Sequence, residues 1–309
     1  MAEKKRAKVE TRVEFGVQLT PRDQIVRSAL TSGWGIAWLT LFMFVPLLAI
    51  VAISFCTRGT YGEILPQLTI ENYRRFFGFG ELGYDPLYPF IVLRSLILAS
   101  STTVLCTLCG LPLAFFIAKL PPRFRNLALI LVMIPFWSNL LIRTYAWQLM
   151  LSPDGPITRA FRLFGLVDEG AAMYPSVFAV HIGMVCDYLP YLVLPLYASV
   201  EKIDWALAEA AVDLGANRVK MFWFAIVPQI VPGLAAGITL VFVPATGTFV
   251  IPDLLGGAKT VLLGSAIAQQ FGQSRDWPFG SAIACFGMLA LLLALWVQTR
   301  YQSDEQEAR

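Results

Sequence analysis

The sequence predicts an all-α, polytopic membrane protein with six transmembrane helices and both termini in the cytoplasm. Three observations carry this expectation. Apolar residues make up 57% of the 309 residues and charged residues only 15%, against about 25% charged in soluble domains; mean hydropathy is +0.63. The apolar residues gather into blocks of roughly the 20 residues that a helix needs to cross the hydrocarbon core. Lys and Arg fall unequally on the alternate loops between those blocks.

Residues 1–32 read as a polar cytoplasmic tail, with Lys4, Lys5, Arg6, Lys8, Arg12, Arg22 and Arg27 mixed among Glu3, Glu10, Glu14 and Asp23. The apolar block behind them starts too late and runs too long for a cleaved signal peptide. A six-helix domain then covers 33–299. Its expected spans are Gly33–Cys56, Pro89–Ala118, Leu127–Met150, Ser176–Val200, Ile226–Pro252 and Phe279–Thr299. Each must be helical, because the bilayer offers backbone amides no partner. Trp34, Trp38, Trp147, Trp277 and Trp296 lie near span ends, where an aromatic belt is expected. Residues 300–309 form a second polar tail.

Orientation follows from charge. One set of loops and both tails hold fifteen Lys and Arg, including Lys119, Arg123, Arg125, Lys202, Arg218 and Lys220. The other set holds seven: Arg58, Arg74, Arg75, Arg159, Arg162, Lys259 and Arg275. Cytoplasmic loops collect the cations, so both termini are placed inside.

The small net charge of +3 gives no reason to expect nucleic acid as a partner. All five cysteines sit within or beside apolar blocks, so they do not read as a secreted disulfide framework. Cys106 and Cys109 form a CxxC in a continuous apolar run without a second pair, and are read as helix-packing residues rather than a zinc site. His181 is the single histidine. With no cluster of His, Cys and carboxylates, neither a metal, a cofactor nor a catalytic centre is expected, and His181 is assigned a helix-packing hydrogen bond.

The fifth span is dense in helix breakers: Pro228, Pro232, Gly233, Gly237, Pro244, Gly247 and Pro252. It is expected to kink, which membranes tolerate where neighbours or a water-filled cavity satisfy the freed carbonyls. Gly233 and Gly237 form a GxxxG that serves either close helix packing or a pathway lining. Ionisable residues within spans are Arg94, near an end, Arg143 and Asp187. Such charges face the bundle interior or a cavity.

Between the fourth and fifth spans, the loop 201–225 reads as a short amphipathic helix, a sharp turn and a second helix. At 100° per residue Ile203, Leu207, Ala210, Ala211 and Leu214 share a face, with Asp204, Ala208, Glu209 and Val212 away from it. Gly215 stands where the helix end needs left-handed dihedrals, and Asn217 where the next helix needs a cap.

Here the residues resemble a family signature. Glu209-Ala210-Ala211, three residues, Gly215, nine residues and then Ala225-Ile226-Val227-Pro228 look like the EAA loop of binding-protein-dependent ABC importer permeases. Over roughly 72–281 the chain is similar to the spermidine/putrescine type, through Asn72-Tyr73, Pro135 to Trp147, Leu189 to Ile203 and Pro244 to Ser281.

The resemblance implies the ABC importer permease fold in the bacterial inner membrane, with Glu209, Ala210, Ala211 and Gly215 in the coupling helix that docks into a separate ATPase subunit. It implies two ATPase copies, a second permease, an extracytoplasmic solute-binding protein and membrane lipid as partners, and no enzymatic activity of the chain itself. No GxxxxGK[ST] occurs; Gly256-Gly257-Ala258-Lys259-Thr260 only mimics its tail. Alternatives are an importer permease for an opine, an amino-acid derivative or a phosphonate, and an ion-coupled secondary transporter, for which no internal repeat is found.

A polyamine leaving water needs carboxylates and aromatic faces. Asp187, with Tyr188 adjacent and Tyr191 one turn on, is the candidate pathway group, joined by Thr248, where some polyamine permeases have an acidic residue. Asp187 has a second reading, as the structural partner of Arg143 or of a neighbouring subunit.

Overall fold

The computed structural model describes residues 21–80, 83–166, 168, 173–257 and 261–307. The first twenty residues of the expected N-terminal tail lie outside that set. The chain divides into two units, Met1–Ile53 and Ser54–Arg309.

The first unit holds most of α1 (Pro21–Ser54), whose apolar stretch Gly33–Ser54 has the length and hydropathy of a span. The helix begins inside the segment expected to be tail. Pro21 suits a first helical position, where its missing amide costs nothing.

In the second unit two short hairpins and a helix precede the bundle: β1 (Thr57–Arg58) with β2 (Ile64–Leu65), α2 (Glu71–Phe76), and β3 (Phe79–Gly80) with β4 (Gly83–Tyr84). The remaining helices are α3 (Leu87–Lys119), α4 (Pro122–Trp137), α5 (Leu140–Met150), α6 (Pro156–Leu163), α7 (Val177–Val200), α8 (Trp205–Asp213), α9 (Arg218–Met221), α10 (Val227–Gly247), α11 (Val250–Gly256), α12 (Leu263–Phe271) and α13 (Trp277–Glu307). Among the described residues five helical segments are long and apolar enough to cross a membrane, or six if α4 and α5 count as one broken span.

The third span is therefore not the single helix expected over Leu127–Met150. It bends by 96° between α4 and α5. Pro135 sits in the last turn of α4, Ser138 leaves it with extended backbone (ψ 146°), and Asn139 caps α5 by accepting the Leu141 amide at 2.8 Å. A proline followed by a capping residue is a stop and a start.

The fifth span also differs from its expected form. Its helix starts at Arg218, passes through a π turn at Phe222–Ile226 and runs to Gly247, where the extended residue Thr248 (ψ 142°) separates it from α11. Pro228 explains the π turn: its ring crowds the carbonyl four residues back, and widening the helix there, with the Val227 amide on the Phe222 carbonyl, relieves the clash. Pro232 and Pro244 stay within α10 without ending it.

α3, α7 and α10 form the core of the second unit. Leu192, Val193 and Leu196 of α7 and Ile230 and Val241 of α10 are fully buried against Ala99, Cys106 and Ala114 of α3. Small residues bring the axes close. A Cβ on Gly237 would stand 3.0 Å from the Leu192 carbonyl oxygen, and one on Gly233 2.5 Å from that of Pro195. The GxxxG thus packs α10 onto α7. Cys106 is buried in this core, and none of the five cysteines is in a disulfide. His181 ties α7 to α3 through Ser101 Oγ at 2.8 Å and bonds the Val177 carbonyl at 2.8 Å, the packing role expected of it.

A second buried cluster joins Phe76, Val92, Leu263, Phe279 and Ile283. Beside it Asp276, 2% exposed, accepts from Arg75 at 2.8 Å and from the Phe279 amide at 3.2 Å, with Arg58 at 3.9 Å. The Arg75 guanidinium also lies 4.0 Å over the Phe279 ring. This network fastens α2 and the first hairpin to the start of α13.

Candidate functional site

Two groups of residues were expected to carry function, and each occupies one neighbourhood of the second unit. The first is the loop around α8. Asp204 caps this helix by accepting the Ala206 amide at 3.0 Å. At its other end the Gly215 amide donates to the Val212 carbonyl and the Ala216 amide to the Ala211 carbonyl, both at 2.9 Å. That paired pattern with a left-handed residue is a Schellman motif, and Gly215 has φ +86°. Asn217 then caps α9 by accepting the Lys220 amide at 2.8 Å. Helix, turn and second helix are as the loop sequence predicts.

The loop turns only part of its apolar face toward the bundle. Ile203 and Ala208 are buried, while Leu207 and Leu214 are exposed. Ala208 has the small side chain that lets the helix lie close to the bundle, and the larger apolar residues are left outside. Glu209 and Ala210 are exposed and Ala211 is half-buried. Trp205 and Val212, which lie away from that face, are exposed as well, and the outward Leu207 and Leu214 give α8 an apolar face of the kind that a partner's groove receives.

A contact that the sequence did not suggest holds α8 to the fifth span. Gln229, on the first turn of α10, accepts the Asp204 amide at 2.8 Å through Oε1, while its Nε2 donates to the Ala225 carbonyl at 2.7 Å and lies 3.4 Å from the Asp204 carbonyl. Arg125, at the start of α4, pairs with Glu201 at 3.0 Å just before the loop. The α8 region is thereby tied to two membrane segments. A glutamine three residues past the turn carries no sequence signal of such a role, since only the fold brings Asp204 beside it.

The second group centres on α7. Asp187 forms an ion pair with Arg143 of α5. Both side chains are largely buried, at 11% and 18% exposed. Arg143 also donates to the Pro135 carbonyl, which accepts the Ser138 amide at 3.3 Å and the Ser138 hydroxyl at 2.8 Å as well, and reaches Ser138 Oγ at 3.3 Å. Arg143 thus closes the bend between α4 and α5, and Asp187 neutralises it. This is the structural partnership that was one of the two readings of Asp187.

Tyr188, buried, is a close neighbour of Thr248 at the break between α10 and α11. Tyr191 lies with its ring 6.2 Å from that of Tyr188 and 4.5 Å from that of Phe136 at the end of α4. The four candidate pathway residues, taken from two distant stretches of sequence, therefore meet where the third and fifth spans are both broken. Backbone freed from a helix inside a membrane protein is tolerated where it is buried in protein or lines a cavity. Beside the α4–α5 bend lies a largely apolar cavity of about 490 Å³, lined by Pro135, Ser138, Arg143, Trp147 and Cys186 among others. No group of three or more metal-ligating side chains occurs among the described residues.

Comparison with known proteins gives a consistent result. The family described as "Binding-protein-dependent transport system inner membrane component" matches residues 110–304. The chain is 40% identical to the spermidine/putrescine transport system permease protein PotB of Escherichia coli (strain K12), over 88% of this chain and 98% of that protein. It is also 40% identical to the PotB protein of Haemophilus influenzae, covering 87% of this chain and 91% of the other. Its fold resembles that of a chain from a bacterial ABC transporter involved in the import of the acidic polysaccharide alginate, with a TM-score of 0.65 at 17% identity over 92% of this chain and 96% of that one.

Proposed function

The chain belongs to the family of binding-protein-dependent transport system inner membrane components, and from that premise we propose that it is the permease subunit through which an ATP-binding-cassette importer takes up polyamines, spermidine or putrescine. The observation that carries the solute is the 40% identity to a spermidine/putrescine permease across nearly the full length of both chains. Kinship of that extent sets aside the ion-coupled secondary transporter.

The division of labour follows. ATP is hydrolysed by two copies of a separate subunit, a second permease completes the path, and an extracytoplasmic binding protein delivers solute. α8 is the lever: its exposed Leu207 and Leu214 suit a groove on the ATPase, and Gln229 passes displacement of α8 to α10. With α8 on the cytoplasmic side, both termini face the cytoplasm, in accord with the loop charges. The region of Asp187, Tyr188, Tyr191 and Thr248 is the candidate path, its aromatic and hydroxyl groups offering a polyamine cation–π and hydrogen-bonding partners on the way through.

The solute is tested by purifying the cognate binding protein without added ligand and identifying what it retains. A polyamine is expected. An opine, an amino-acid derivative or a phosphonate in its place would contradict the assignment.

A further inference from the structure

We propose that the groove between α11 and α12 is a cation subsite that takes one ammonium group of the polyamine, an inference that rests on the polyamine reading above. A pocket of about 390 Å³ opens there, with Phe249, Asp253, Gln269 and Gln273 in its lining. Among the described residues that line it, Asp253 is the single charged one. Among the described residues its carboxylate has neither an ion pair nor a hydrogen bond, and burial alone raises its pKa above the ordinary carboxylate value. The buried acids elsewhere are spent: Asp276 on Arg75 and Asp187 on Arg143. A partly desolvated carboxylate without a cation is stabilised by gaining one.

The neighbouring groups suit an ammonium. The side-chain amides of Gln269 and Gln273 have no hydrogen-bond partner among the described residues, so their oxygens are available as acceptors. Phe249 brings an aromatic residue to the same lining. Ser265 also lines the pocket but is already engaged, accepting the Leu262 amide at 2.9 Å and donating to the Leu262 carbonyl at 3.0 Å.

Position supports the assignment. Phe249 follows Thr248, which reaches Tyr188, so the pocket adjoins the α7 cluster at the end of α10 farthest from α8. A solute with several ammonium groups, a few methylenes apart, can engage Asp253 with one while another advances toward the tyrosines.

The test is uptake of radiolabelled spermidine per assembled complex, in proteoliposomes holding all subunits and saturating loaded binding protein. Docking of the binding protein is measured alongside by co-sedimentation. Asp253→Asn keeps size but removes the charge, and uptake should fall about tenfold, the worth of one partly solvated charge-assisted contact. Asp253→Glu should retain most of the activity, and docking should be unchanged in both. Gln269→Lys places a competing ammonium on the exposed rim and should lower uptake at least as far, which keeps the test open if Asp253→Asn assembles poorly. Uptake within about twofold of wild type in either charge-altering variant overturns the subsite. So does a loss matched by an equal loss of docking, which would make Asp253 a contact for the binding protein. A wild-type complex that imports no polyamine overturns both the subsite and the polyamine reading.

Discussion

At Gly215 the backbone has φ +86°, and an added Cβ would meet nothing within 4 Å. Any cost of substitution is therefore conformational, of order 1–2 kcal/mol for a residue forced into the left-handed region and more for a β-branched one. Gly215→Val should change the angle between α8 and α9 and weaken retention of the ATPase subunit in pull-down, whereas Gly215→Asn, which tolerates that region, should retain most of it. Equal retention by both variants would mean that the turn does not set the docking angle. Asp187 makes a different demand. Losing the partner of a nearly buried arginine costs about 3 kcal/mol or more, and Arg143 also holds the Pro135 carbonyl at the bend. Asp187→Asn should thus lower the yield of assembled complex. If Asp187 serves only Arg143, the surviving complexes transport at the wild-type rate, while a fall in transport per complex assigns it to the path as well. Asp276 engages two of the six arginines in the set of loops with fewer cations. Arg58 and Arg75 are held by one buried carboxylate, and Asp276→Asn should reduce thermal stability of the complex without altering the ratio of transport to hydrolysis.

Among the elements, α8 and the start of α10 form the mechanical unit of the proposed function. Gln229 bonds both main-chain groups of Asp204, so a push on α8 reaches the fifth span through a side chain as well as through the covalent turn. Gln229→Leu preserves bulk and removes that link. ATP hydrolysis should persist while solute moved per ATP falls about fivefold, the effect of losing a hydrogen bond worth about 1 kcal/mol. An unchanged ratio would leave the covalent turn as the whole connection. The same elements tell how far the sequence was legible. Gly215, Asn217 and the amphipathic run act locally, and local rules placed the helix, the turn and the cap. The inward face of α8 depended on which side chain fits beneath it, and the bundle selects small Ala208 over bulky Leu207, which periodicity cannot register. The broken third span was written in Pro135, Ser138 and Asn139, but a hydropathy window sums over such signals. The α7 cluster drew residues 188 and 248 together through tertiary packing, so Tyr188 and Thr248 were legible as separate candidates and not as neighbours.

For the molecule as a whole, the apolar composition, the broken spans and the exposed apolar side chains of α8 fit one subunit of a larger machine. An apolar outer face on α8 and a nearly buried charge cluster beside two helix breaks make sense if other chains cover the first and solute passes near the second. On the proposed function, this chain conducts a polyamine only when a separate subunit hydrolyses ATP. The direct measurement is accumulation of radiolabelled spermidine in proteoliposomes containing the two permeases, the ATPase and loaded binding protein, with ATP enclosed on the side of α8. Uptake should stop when the ATPase is inactivated by substitution and continue in the presence of proton and sodium ionophores. Uptake that survives the inactive ATPase and collapses with an ionophore would contradict it.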